Sequence, residues 1–92
     1  MARLARVVLP GYPHHITQRG NRRQDVFFQA SDYQYYLQQL KHNCDKQGVD
    51  IWAYCLMTNH VHLIVNPKEE LSLAKAIGET HKHYTKMVNT RN

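Results

Sequence analysis

The sequence predicts an α+β fold whose elements follow one another as β-α-β-β-α within one domain. Three observations carry this. Apolar residues recur at helical spacing in two stretches, through Tyr33, Tyr36, Leu37, Leu40 and Cys44 and again through Leu73, Ile77, Tyr84 and Val88. Three other stretches are rich in β-branched and aromatic residues, as strands are. The last two of these are separated only by Thr58-Asn59, which leaves room for a hairpin turn and nothing longer. With 92 residues, 42% of them apolar, the chain can build one modest core and not two.

Residues 1–11 are apolar and basic and close on Pro10-Gly11, which fits a short extended arm or edge segment. His14-His15-Ile16-Thr17-Gln18-Arg19 is the first strand, stopped by Gly20-Asn21. Ser31 is placed to cap a helix over residues 32–46, Asp32 favours its positive N-terminal end, and Gly48 terminates it. Residues 50–57 are mostly apolar and predict a central strand covered on both faces, with Trp52 and Tyr54 filling the core. His60 to Val65 follows as the third strand, broken at Asn66-Pro67. From Leu71 onward a second helix gathers Lys75, Lys82 and Lys86 on a face away from its apolar stripe. One more strand would complete a ferredoxin-like split βαβ sheet.

The net charge is +5, from 12 Lys and Arg against 7 Asp and Glu, and its distribution is one-sided. Five arginines (Arg3, Arg6, Arg19, Arg22 and Arg23) precede Asp25, and no acidic residue does. A planar guanidinium suits phosphate oxygens, so a basic segment of this kind points to a polyanion, nucleic acid being the commonest; the plain alternative is a solvated basic tail. No apolar run is long enough to span a membrane, and no signal-peptide pattern follows the basic N-terminus, so a cytoplasmic protein is expected. Cys44 and Cys55 form neither a CxxC unit nor a disulfide framework and are expected to be buried free thiols.

His60-Val61-His62 carries the most specific chemistry. Alternation along a strand puts His60, His62 and Ile64 on one face and the apolar stripe Val61, Leu63 and Val65 on the other. Same-face neighbours are about 7 Å apart at the backbone, which lets two imidazole nitrogens converge on one divalent ion. Two histidines leave coordination positions open for water and a phosphate oxygen, as a catalytic site requires. Imidazoles accept Mn²⁺, Zn²⁺, Co²⁺ or Ni²⁺, and Mg²⁺ becomes suitable when phosphate supplies oxygens. Two ordinary polar residues on a solvated sheet face are the bland alternative.

The surrounding residues distinguish the two. Cys55-Leu56-Met57-Thr58-Asn59-His60-Val61-His62-Leu63-Ile64-Val65 resembles the central signature of the IS200-like transposase family, including its REP-associated branch. These are single-tyrosine (Y1) members of the HUH endonucleases. The stretch from Gly11 to Gln24 is similar to that family's first strand and basic loop, and Tyr84 to Asn89 to its next helix. The resemblance runs from about residue 8 to the end of the chain. It implies a divalent metal, Mg²⁺ or Mn²⁺, at His60 and His62, and cleavage of single-stranded or hairpin DNA through a 5′-phosphotyrosine. It also implies a nucleophilic tyrosine on a further helix, in a Tyr-Ile-x-x-Asn-Pro-like context, often with a polar metal-site residue one turn later. Residues 1–92 hold no such segment and no fourth sheet strand, so a domain incomplete at its C-terminus is expected.

Within the chain, Tyr84 is the tempting substitute nucleophile, with His81 a turn before it, yet its spacing with Ile77 and Val88 favours a ring in the core. Arg19, Asn21, Arg22 and Arg23 are the candidates for phosphate and base contacts. His15 joins the histidine pair if the first strand lies beside the third, and His14 then points elsewhere. His42, His81 and His83 read as surface or helix-face residues. Two rival functions remain open: an RNA-recognition module, disfavoured because the third strand exposes no aromatic ring, and a non-catalytic remnant that binds a nucleic-acid site. Unpaired sheet edges would favour a homodimer.

Overall fold

A computed structural model describes residues 8–19 and 25–91. The order is β1 (His14–Arg19), α1 (Ala30–Gln47), β2 (Val49–Met57), β3 (His60–Pro67) and α2 (Ser72–Arg91). The strands form one antiparallel sheet ordered β1-β3-β2, and both helices pack on one face of it. This is an α+β fold with the split βαβ arrangement.

β3 is therefore the central strand. Val61, Leu63 and Val65 are essentially fully buried beneath the helices, and the alternate positions form the opposite face. Ile16 of β1 faces the same core, which also takes Tyr36, Leu40 and Cys44 from α1 and Leu73, Ala76, Ile77 and Tyr84 from α2. Between the helices, buried Asn43 donates to Thr80 Oγ1 at 3.2 Å, while the Thr80 hydroxyl donates to the carbonyl of Ala76 at 2.8 Å. That satisfies two polar groups which would otherwise weaken the contact.

Several expectations are corrected. β2 is an edge strand, so its apolar content does not signify burial on both faces: Trp52 is 58% and Tyr54 55% exposed. Cys55 on the same strand is exposed, whereas Cys44 is buried, and burial pushes its thiol up to about 11. The N-cap of α1 is Gln29 and not Ser31. Asp32, at the third helical position, reaches back to accept the N–H groups of Phe28 and Gln29 at 2.8 and 3.2 Å, and this selects the start. Gly48 does end the helix, at φ 73°, ψ 43°, with its N–H donating to the carbonyl of Cys44. β3 runs through Asn66 to Pro67, because the missing N–H of Pro67 costs little at a strand end and its carbonyl accepts the N–H of Gly11 at 2.8 Å. Gly11, at φ 83°, occupies the turn position that favours glycine after Pro10.

Candidate metal and nucleic-acid site

The face of the sheet turned away from the helices carries the site. Register pairs Arg19 with His60, Thr17 with His62 and His15 with Ile64, so β1 contributes His15, Thr17 and Arg19 beside the β3 histidines. Cys55 and Met57 lie opposite His62 and His60 on the other side. The His60 and His62 rings stand edge to face with centroids 4.8 Å apart. His15 stacks on His62 at 5.2 Å.

An imidazole can ligate a metal only through a nitrogen without a proton, so the hydrogen bonds decide what the pair can do. Asn59 Oδ1 lies 2.6 Å from His60 Nδ1; an amide oxygen only accepts, so the proton sits on Nδ1 and the Nε2 lone pair is uncommitted. His62 Nδ1 lies 3.1 Å from His15 Nε2 and 3.4 Å from Thr17 Oγ1. When His62 Nδ1–H donates to either acceptor, its Nε2 is likewise available. Partial burial lowers the pKa of His62, and the neighbouring His60, His15 and Arg19 charges lower it further, which favours the neutral ring a ligand must be. The donor set thus fits a divalent ion. Among the described residues no group of three His, Cys, Asp or Glu side chains is arranged to hold one.

Tyr84 lies on the helix side of the sheet. Its ring is 5% exposed, packed near Phe27, Tyr35 and Tyr36, and its hydroxyl donates to the carbonyl of Val26 at 2.6 Å. Burial, and then the Asp32 carboxylate, raise its pKa above the ordinary tyrosine range, opposite to what an attacking phenolate needs. Of the arginine candidates, Arg19 is exposed on the histidine face. Asn21, Arg22 and Arg23 lie outside the described residues. His14 turns away from the pair: its Nδ1 donates to the Tyr12 carbonyl and its Nε2 accepts from the N–H of Leu9.

Asn59 and Thr17 escaped the sequence reading. Asn59 read only as a turn residue, although an amide directly before the first histidine was a visible signal. Thr17 could be found only once the β1–β3 register was known. Two surface hollows of about 350 and 380 Å³ lie elsewhere, one between Asp32 and Arg91 and one beside Gly48, so the site is an open face rather than a pocket.

The paired imidazoles thus stand on the helix-free face of a small split βαβ domain. The family model described as "Transposase IS200 like" matches residues 10–92. The chain belongs to the IS200-like transposase family. No curated protein and no solved structure matches it.

Proposed function

We propose that this transposase domain binds single-stranded or hairpin DNA across its histidine face, with a divalent ion, Mg²⁺ or Mn²⁺, held by His60 and His62. The observation that carries the reading is the pair of adjacent imidazoles whose Nδ1 atoms are engaged by Asn59, His15 and Thr17 while their Nε2 atoms are left for ligation. Such an ion would polarise the scissile phosphate and offset the charge developing on its oxygens. Arg19, level with His60, draws the phosphodiester backbone to this face, and Asn21, Arg22 and Arg23, which follow it in the sequence, are the further residues proposed to contact DNA. In the reaction the resemblance implies, a tyrosine oxygen bonds to phosphorus as the 3′-oxygen departs and takes up a proton. The 5′-phosphotyrosine conserves the bond energy, so reversal rejoins DNA without ATP. The domain would act in the cytoplasm, as a homodimer.

Tyr84 is not the nucleophile in this reading, because its hydroxyl is committed to Val26 on the far side of the sheet. The attacking tyrosine is one brought to the histidine face by a segment other than α2. The same observation favours a second reading, a domain that occupies its DNA site without cutting.

Incubating the protein with a labelled hairpin oligonucleotide bearing a single-stranded flank, with Mn²⁺ or Mg²⁺, separates the readings. A denaturant-resistant protein–DNA adduct, lost in a His60→Ala, His62→Ala variant, is the expected mark of the enzyme. Binding without an adduct supports the second reading, and unchanged metal affinity in that variant refutes the metal assignment.

A further inference from the structure

β2 contains one irregularity, and it falls beside the site. Ile51 pairs with Val65 and Ala53 with the adjacent Ile64, so Trp52 is an extra residue between them. Elsewhere alternation is regular. Val49, Ile51, Tyr54 and Leu56 lie opposite Pro67, Val65, Leu63 and Val61 on the helix side, while Ala53, Cys55 and Met57 lie opposite Ile64, His62 and His60 on the other. Counting on from Ile51, Trp52 takes the histidine side, so two consecutive residues share that face, as a bulge permits. The result is a large aromatic ring, 58% exposed, on the face that carries the histidines.

We propose that Trp52 is a stacking platform for an unpaired base of the DNA strand that crosses this face. The inference rests on the single-stranded DNA reading of the histidine pair. Trp52 directly precedes Ala53, the partner of Ile64, and Ile64 is one same-face step, about 7 Å, from His62. A base one or two nucleotides from a phosphate at the histidines therefore comes within its reach. Charge orders the strand in the same sense. Arg19 stands at the His60 end, where phosphate belongs, whereas Asp50, opposite Asn66 at the far end, repels phosphate and leaves the uncharged base as the better neighbour for the indole. An unpaired strand offers free base faces, which a duplex hides within its own stack.

Trp52 is the sole tryptophan of the chain, so its emission reports this position alone. In titrations of the full chain with an unstructured single-stranded oligonucleotide and Mg²⁺, emission is expected to be quenched in step with binding measured by anisotropy. The same sequence as a duplex, or with abasic positions, should leave emission unquenched. Trp52→Ala should weaken binding roughly 5- to 150-fold, and Trp52→Phe should keep most of the affinity. Oligonucleotide binding with unchanged emission, and with Trp52→Ala as tight as wild type, overturns the stacking role and leaves the DNA reading standing. Absence of any single-strand binding removes both. A blue shift that grows with protein concentration in the absence of DNA assigns Trp52 to a contact between two copies of the chain and overturns the proposal.

Discussion

At the scale of single residues, the site turns on which ring nitrogen carries a proton. Asn59 Oδ1 can only accept, so it holds His60 in the tautomer with a bare Nε2. Asn59→Ala is therefore expected to weaken Mn²⁺ binding about 10- to 100-fold by titration calorimetry, the usual effect of losing a residue that orients a ligand. Asn59→Asp should retain the ion, and equal affinity in both variants would remove Asn59 from this role. Tyr84 belongs to the opposite face. Tyr84→Phe loses one buried hydrogen bond to Val26 and should cost about 1 kcal/mol in urea unfolding. It should leave oligonucleotide and metal affinity as in wild type; a loss of either without a loss of stability would contradict its assignment to the core.

At the scale of elements, Asp32 joins the beginning of α1 to the end of α2. Besides capping Phe28 and Gln29, its carboxylate takes both guanidinium nitrogens of Arg91, at 2.6 and 3.2 Å, and is itself 1% exposed. The Arg91 hydrogen bonds pull its pKa below the ordinary carboxylate value, outweighing the opposing effect of burial. A carboxylate whose folded pKa is depressed contributes stability above its unfolded pKa, about 3.9, and that contribution is lost as pH falls through the lower folded value. Unfolding followed from pH 6 downward should thus show a stability loss beginning near pH 4, which Asp32→Asn flattens. At pH 7 that substitution should cost about 2 kcal/mol, below the range for a wholly buried pair because Arg91 is partly solvated. An Asp32→Asn variant with the wild-type pH profile would show that the acid sensitivity arises elsewhere.

At the scale of the whole molecule, the sheet order leaves the outer edges of β1 and β2 without a strand partner among the described residues. Open edges of this kind recruit further strands. Self-association through β1 would satisfy its backbone groups and leave Trp52 on β2 free for a base. Light scattering across a concentration series should show a dimer, and a monomer throughout the series would exclude it. No helix among the described residues is long and apolar enough to cross a membrane.

Local rules made much of this protein legible in its sequence. Helical spacing found both helices, Gly48 marked the end of α1, and alternation from His60 to Val65 assigned its two faces correctly, because those properties depend on residues a few positions apart. The neighbours of each strand obey no such rule. Nothing local distinguishes an edge strand with exposed aromatic rings from a buried central one, so Trp52 and Tyr54 read as core until the order β1-β3-β2 placed them at the rim. The same pairing brought His15 and Thr17, more than forty residues away in sequence, against His62. Thus the sequence by itself determined the elements and the presence of a histidine pair. Only the tertiary structure, through hydrogen-bond register between distant strands, decided which side chains lie against that pair.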